Sequence, residues 1–385
     1  MQKFINIGLA DTRRGKCLFG IAQQDRLHHI YIIGQTGTGK TTLLGQMALQ
    51  DVKHGNGFCL IDPHGDLAAA MSQLVPSEHI YWELGNPNSP FGYNPLAKVP
   101  PSMRPLVASG FIETLKKQWA DSWGPRMEHL LRFAVLALLD QPSADMSQII
   151  RLYVDKDFRG LAIANIVDPQ VRAFWTIELP RMNYLTSIDG VAPIANKVGA
   201  FLANPVIRKS LCEPENPIRF RRAMDEGQMI IVNLAKGKIG ADNANIVGGL
   251  ILTNIMNAAF SRQCIVENER RPFFLYADEF HNFTTASVAD MLSEARKYRI
   301  GLIASQQHSS QTEKLVLDSI LGNAGTILSL RIGVHDAPLI AKQMGTIDPR
   351  YYVSLPNHRG FAQLMDGGRK RPTFSFSTLP PTTNL

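Results

Sequence analysis

The sequence predicts an α/β chain with a mostly parallel central sheet, divided by a mainly helical insertion. Three observations carry that prediction. Short apolar, β-branched or aromatic runs recur at 29–34, 58–61, 272–280 and 301–307, and each ends in glycine or polar residues, as buried strands of a parallel sheet do. The first run leads directly into a glycine-rich loop and then a segment with helical spacing. Between residues 100 and 226 several segments show helical spacing, with turn residues between them. The expected organisation is therefore a first core segment (1–99), a mainly helical insertion (100–226), a second core segment (227–370) and a C-terminal tail (371–385).

HIYIIG (29–34) reads as the first of these strands. Gly34, Gln35, Thr36, Gly37, Thr38, Gly39, Lys40 and Thr41 then fit G-x-x-x-x-G-K-[ST] at every fixed position, and Thr42 opens the helical stretch TLLGQMALQD. Strand, glycine loop and helix form the context a phosphate-binding loop requires. Glycines let backbone N–H groups turn onto phosphate oxygens, and the helix N-terminus adds partial positive charge. Lys40 is expected to reach the β- and γ-phosphates of ATP, and the Thr41 hydroxyl to bind Mg2+.

Gly55 and Gly57 end that helix, and FCLI begins the next strand, closed by Asp62-Pro63 because proline restricts the residue before it. Asp62, His64 and Asp66 are spaced as a conceivable metal trio. The reading preferred here is a strand-to-helix turn with Asp66 at the next helix start.

In the middle segment, MRPLVASGFIETLKKQWA, RMEHLLRFAVLALLD and IANKVGAFLAN carry the helical spacing. Trp119, Trp123 and Trp175 are read as mainly core residues, with partner contact as the alternative. Lys236-Gly237-Lys238 is a candidate loop for DNA phosphates, because glycine permits close approach and lysine supplies charge; a solvated hairpin is the alternative.

Hydrolysis needs an acidic strand end, and PFFLYADEF (272–280) supplies Asp278-Glu279. Asp278 is expected to hold magnesium through its water shell and Glu279 to act as general base. GLIASQQ (301–307) ends in Gln306 and Gln307, and strand C-termini face the ligand crevice of a parallel sheet. Either glutamine suits a γ-phosphate sensor, with Gln306 preferred. The end of the chain, GGRKRPTFSFSTLPPTTNL, suits an edge strand followed by a tail, or a partner-binding segment.

Composition excludes more than it assigns. Of 385 residues, 45% are hydrophobic and 19% charged, which rules out disorder and collagen-like repeats. Cys17, Cys59, Cys212 and Cys264 form no Cys-x-x-Cys pair, which argues against a zinc site or disulfide framework. The net charge of +7 is spread along the chain, compatible with nucleic acid without demanding it. No aromatic–basic interleaving marks a single-strand platform and no helix-turn-helix is evident, so recognition of a DNA sequence is not expected. No stretch approaches the roughly 18–20 apolar residues of a membrane span, and the first 16 residues lack a signal-peptide pattern, so a cytoplasmic location is expected.

Taken in order, GQTGTGKTT, LIDPHGD, LYADEF, SEARKYRIGLIASQQ and GNAGTILSLRIGVHDA resemble the HerA–FtsK superfamily of ring-forming DNA motors. Within it the chain resembles HerA and the cytoplasmic ATPase part of type IV secretion coupling proteins of conjugation. The similarity extends from about residue 19 to the end and takes in FGYNPL, AFWTIE and MIIVNLAKGKIG. It implies a RecA-like P-loop NTPase core, a homohexamer with nucleotide at each subunit interface, and duplex DNA in the channel. It also implies an arginine supplied by the neighbouring subunit, matched here by Arg296, with Arg331 as the runner-up sensing nucleotide within its own subunit. Membrane-bound coupling proteins carry N-terminal transmembrane helices and HerA a β-barrel, whereas 33 residues precede Gly34 here.

The resulting expectation is an ATP-hydrolysing DNA translocase that works with relaxase or secretion components, recruited to the membrane only by a partner. Two alternatives accompany it: a HerA-like motor subunit of a defence or repair complex with a separate nuclease, and a nucleotide-gated assembly scaffold.

Overall fold

In a computed structural model, the chain divides into two compact units. One comprises Met1–Tyr81, Phe220–Ala235 and Ala258–Leu385, and the other Trp82–Arg219 and Lys236–Asn257. The structure describes residues 3–182, 184–345 and 348–380, without the side chains of 184–189.

Among the described residues, ten strands of the large sheet lie wholly within the first unit. They begin with β1 (Phe4–Thr12), β2 (Gly15–Ala22), β3 (Ile30–Ile33), β4 (Gly57–Asp62) and β5 (Met229–Asn233). They continue with β6 (Phe273–Ala277), β7 (Ile300–Gln306), β8 (Thr326–Ser329), β9 (Arg359–Gln363) and β10 (Phe374–Thr378). Their order across the sheet is β2-β1-β10-β9-β8-β3-β7-β6-β4-β5. From β8 to β5 every neighbour is parallel, while the flank from β2 to β9 is antiparallel and joins β8 antiparallel. The α/β fold with a mostly parallel centre is thus as the sequence predicts.

Register decides what this sheet can do. Ile33 pairs with Gln306, Ala304 with Ala277, and Ala277 with Ile61, so the carboxyl ends of β3, β7, β6 and β4 finish nearly level. The loops leaving them share one edge of the sheet, where parallel α/β folds gather their ligand-binding groups. Both faces are covered. The central strands are therefore apolar without alternation, and Ile30, Ile32, Phe58, Leu60, Phe274, Tyr276 and Ile303 join one core with Leu43, Leu44 and Met47.

Helix α1 (Lys40–His54) is punctuated at both ends by glycine. Gly39 precedes it at φ 108°, and Gly55 stops it at φ 65°, its N–H donating to the carbonyls of Asp51 and Val52. Beneath the last turn of α1, Arg26 and Asp51 are wholly buried and paired. Tyr276 and Asn56 complete the hydrogen bonding around Asp51, and the Arg26 guanidinium lies 3.6 Å from the Phe274 ring centre.

Helix α2 (Asp66–Leu74) follows β4 through a turn in which the Asp62 carboxylate accepts from the N–H groups of His64 and Ala68, at 3.0 and 2.9 Å. Asp62 thus caps α2 from the strand end, and Asp66 is the first helical residue. Among the described residues, no group of three or more His, Cys, Asp and Glu side chains is arranged to hold a metal, so the trio drawn from the sequence is a turn.

The end of the chain departs from expectation. β10 is not an edge strand but lies between β1 and β9, with Phe376 wholly buried. Its alternating apolar residues find a sheet on both sides, which the prolines after it do not prevent. Residues 381–385 of the expected tail lie outside the described residues.

The second unit is mainly helical, with Arg104–Gln118, Pro125–Leu139, Gln148–Val154, Lys156–Asn165, Tyr184–Ala203 and Pro205–Cys212 as its principal helices. Asp155, Asp168 and Asn204 cap three helix starts through their side-chain oxygens. Trp175 is a core residue, while Trp119 and Trp123 are half-buried. Lys236–Ile239 is a helical turn rather than a loop, and Lys238 Nζ pairs with Glu83 at 2.7 Å. Among the described residues, the segment Ala241–Cys264 is long and apolar enough to cross a bilayer. However, 78% of its apolar window is buried, as in the core helix of a globular protein.

Candidate nucleotide site

The loop from Gly34 to Lys40 joins β3 to α1 at the carboxyl edge of the sheet. Gly37 and Gly39 lie at φ 75° and 108°, in the left-handed region that side chains resist. The resulting curl turns amides inward and delivers Thr41 and Thr42 to the first turn of α1, whose N–H groups lack helical partners. Lys40 is buried, and its ammonium donates to the carbonyl of Gly34 at 2.6 Å and of Gln35 at 3.3 Å. Burial lowers the pKa of Lys40 below its ordinary value, although Glu279 and Asp278 pull the other way.

β6 brings Asp278 and Glu279 to this loop. Asp278 Oδ2 accepts from the Thr41 hydroxyl at 3.2 Å, Oδ1 accepts from the Ser305 hydroxyl, and Oδ1 also accepts from the Glu279 N–H at 3.1 Å. Glu279 itself sits in the left-handed region at φ 48°, strained for a side-chain-bearing residue. That turn stops the carboxylate from continuing the strand's alternation and returns it toward the loop. It is 7% exposed, accepts from Gln307 Nε2 at 2.7 Å, and has His281 Nδ1 at 3.6 Å. Burial raises its pKa, the Asp278 charge adds to the rise, and Gln307 and Lys40 oppose it.

The two glutamines take different parts. Gln306 is wholly buried, with its amide held by the Thr312 hydroxyl at 2.9 Å and the His308 carbonyl at 3.3 Å, so it does not reach the loop. Gln306, preferred from the sequence, is thus held away from the loop, and it is Gln307 that bonds to Glu279 and accepts from the Thr36 hydroxyl at 2.7 Å. Strand alternation is the reason: Ser305 and Gln307 share the face toward the acidic pair, and Gln306 takes the other.

Arg331, just beyond β8, lies beside the loop, its Nε donating to Gln35 Oε1 at 3.2 Å and its carbonyl accepting from the Gln35 N–H at 2.8 Å. Arg296 is not part of this constellation. It is exposed and precedes β7, whose seven residues, at about 3.3 Å each, put it some 20 Å from the carboxyl edge. Its polar contact is His28 Nδ1 at 3.4 Å, and the nearby Glu294 pairs with Lys297 instead.

One neighbour of the loop has no local signature in the sequence. His358, itself at φ 63°, leans over Gly39, where an added Cβ would meet its Nδ1 at 2.8 Å. The His358 N–H also donates to the Thr38 carbonyl.

No protein-family model matches the sequence, and no curated protein matches it significantly. Solved structures do. The bacterial conjugative coupling protein TrwBΔN70, in its unbound form, is 15% identical at a TM-score of 0.69, covering 98% of this chain and 89% of that one. The plasmid coupling protein TrwB in complex with ADP and Mg2+ is 16% identical at a TM-score of 0.66, covering 94% and 87%. VirB4 of Thermoanaerobacter pseudethanolicus is 15% identical at a TM-score of 0.67, covering 97% and 96%. At such identities the likeness is one of fold: the chain shares the RecA-like P-loop architecture of these proteins.

Proposed function

We propose that the chain is a magnesium-dependent ATPase that, as a homohexamer, drives DNA through a central channel in the manner of a conjugative coupling protein. The observation that carries the ATPase reading is the meeting of Lys40, Thr41, Asp278 and Glu279 at one end of the sheet. The loop amides and Lys40 hold the triphosphate. The Thr41 hydroxyl and Asp278 carboxylate offer the hard oxygen donors that Mg2+ prefers, and the ion would neutralise charge on the β- and γ-phosphates. Glu279, its proton affinity raised by burial, takes a proton from the attacking water, and Gln307 orients that carboxylate. TrwB, a protein of the same fold, is known in complex with ADP and Mg2+ and with ATP and GTP analogues, which supports the same cofactors here.

Arg331, beside Gln35, is the sensor within the subunit. Arg296 is the residue a neighbouring subunit would receive: it is exposed, remote from its own loop, and not engaged by Glu294. Duplex DNA is the cargo, held through its phosphates without regard to sequence, and the helical unit is the part that meets accessory proteins. The working location is cytoplasmic.

The test is ATPase rate against protein concentration, with and without duplex DNA, for wild type and Arg296→Ala. Specific activity should rise with concentration and with DNA. Arg296→Ala should be inactive alone and regain turnover when mixed with Lys40→Ala. Activity indifferent to concentration and DNA would remove the shared site and the motor together. A pull-down then identifies the partner as a relaxase or secretion component, or, on the alternative reading, a nuclease.

A further inference from the structure

The phosphate loop and the general base are joined by one side chain. Gln307 accepts from Thr36 Oγ1 and donates to Glu279 Oε1, each at 2.7 Å. Donor and acceptor chemistry fixes which end of the amide faces which neighbour. A carboxylate only accepts, so the amide NH2 must face Glu279. The amide oxygen is thereby left to Thr36, whose hydroxyl must donate. Thr36 and Gly37 form the exposed apex of the loop, whereas Glu279 is buried. One end of the chain of bonds therefore lies on the part of the loop most open to rearrangement, and the other on a carboxylate held in strained backbone.

We infer that Thr36 is a positioning residue that acts through Gln307 on Glu279, so that the state of the phosphate loop sets the orientation of the base. This rests on the ATPase reading above and deepens it. Thr36 then does more than contribute an amide to phosphate. When triphosphate draws the apex of the loop inward, the Thr36 hydroxyl moves, Gln307 turns, and the carboxylate is released toward the water it must deprotonate. With the loop in the position described here, Glu279 is held by Gln307, and turnover without correctly seated triphosphate is suppressed.

The test compares Thr36→Val, which keeps the shape of the side chain and removes the hydroxyl, with Thr36→Ser, which restores it. Thr36→Val should lower kcat about tenfold, the scale of one lost hydrogen bond, with KM and the affinity for a fluorescent ATP analogue little changed. Thr36→Ser should recover most of kcat. An unchanged kcat, or a rise in KM alone, overturns the inference. A second measurement does not depend on turnover: urea midpoints without nucleotide for Thr36→Val, Gln307→Leu and the double variant. Non-additive shifts support the coupling and additive shifts overturn it. If wild type fails to hydrolyse ATP under any condition, the ATPase reading falls, and the urea cycle alone decides whether Thr36 and Gln307 are coupled.

Discussion

Both nitrogens of the Arg26 fork lie 2.7 Å from the two oxygens of Asp51, and neither side chain has any exposure to solvent. The pair joins the turn before β3 to the last turn of α1, and through Tyr276 it reaches the strand that carries Asp278. Burial works to lower the pKa of Arg26, but Asp51 and Tyr276 outweigh it and the net direction is upward. The guanidinium thus stays charged in the core.

Asp51→Ala should therefore destabilise the fold by about 3–5 kcal/mol, since it leaves a buried charge uncompensated. Replacing both members, as Arg26→Met with Asp51→Leu, should recover most of that loss. Urea midpoints of the three variants check this, and a double variant no better than Asp51→Ala would contradict it.

Glu279→Gln should reduce ATP turnover by about 10²–10⁴-fold, the usual range for a lost general base, while the affinity for a fluorescent ATP analogue is kept. The same substitution removes a carboxylate that burial disfavours, so the thermal midpoint should rise, by roughly 2–4 °C per kcal/mol gained. Turnover within threefold of wild type would take Glu279 out of the reaction.

The pH dependence follows from the direction of the Glu279 shift. Its folded pKa lies above the ordinary carboxylate value, so its contribution to stability is full below the unfolded pKa of about 4.3 and is lost as pH rises through the folded pKa. Catalysis needs the deprotonated form and runs the opposite way, with kcat falling as pH drops through that raised value. A kcat profile should show an acid limb above the normal glutamate range, and this limb should be absent from the residual activity of Glu279→Gln.

Gly39→Ala should weaken nucleotide binding and cost about 1–3 kcal/mol, because φ 108° is strained for alanine and the new Cβ would meet His358. Adding His358→Ala removes the collision but leaves the strain, so recovery should be partial. Isothermal titration with an ATP analogue measures the affinities; full recovery would assign the whole effect to His358.

Removing magnesium should abolish turnover, and Thr41→Ala should raise the magnesium concentration needed for half-maximal rate about tenfold, the equivalent of roughly 1.4 kcal/mol. Thr41 and Asp278 are hydrogen-bonded to each other at 3.2 Å, so Asp278→Asn should shift the same requirement in the same direction. A metal titration of the rate separates this from a general loss of affinity.

The sequence was readable wherever chemistry and spacing are local. The glycine loop, the strand before it and the helix after it occupy one short stretch, and the apolar run ending in Asp278-Glu279 announces its own strand end. Gln307 was harder, because both faces of β7 are covered by protein; nothing in SQQ reveals which parity faces the acidic pair, and only the partners of Ser305 do. His358 carries no local mark, since its meeting with Gly39 depends on where β9 enters the sheet. The Lys236 segment misled for a different reason. Glycine flanked by lysines suggests an open loop, yet Ile239 is buried and the segment winds into a helical turn. The last stretch suits an edge strand or a partner-binding segment equally well on sequence, because a sequence shows that a strand exists before it shows how many neighbours the strand has.

The placement of β3 has a consequence for how the protein is made. The strand that leads into the phosphate loop is synthesised early, but its two neighbours, β7 and β8, emerge from the ribosome only after some 300 residues. β1 pairs with β2 at once, but its other edge waits longer still, until β10 arrives. Until β7 and β8 emerge, β3 has no lateral partner, so the nascent chain is exposed to aggregation and suited to chaperone capture. The loop between β3 and α1 cannot be held in place before β7 docks, so capture of nucleotide by the growing chain would mark the moment its sheet closes.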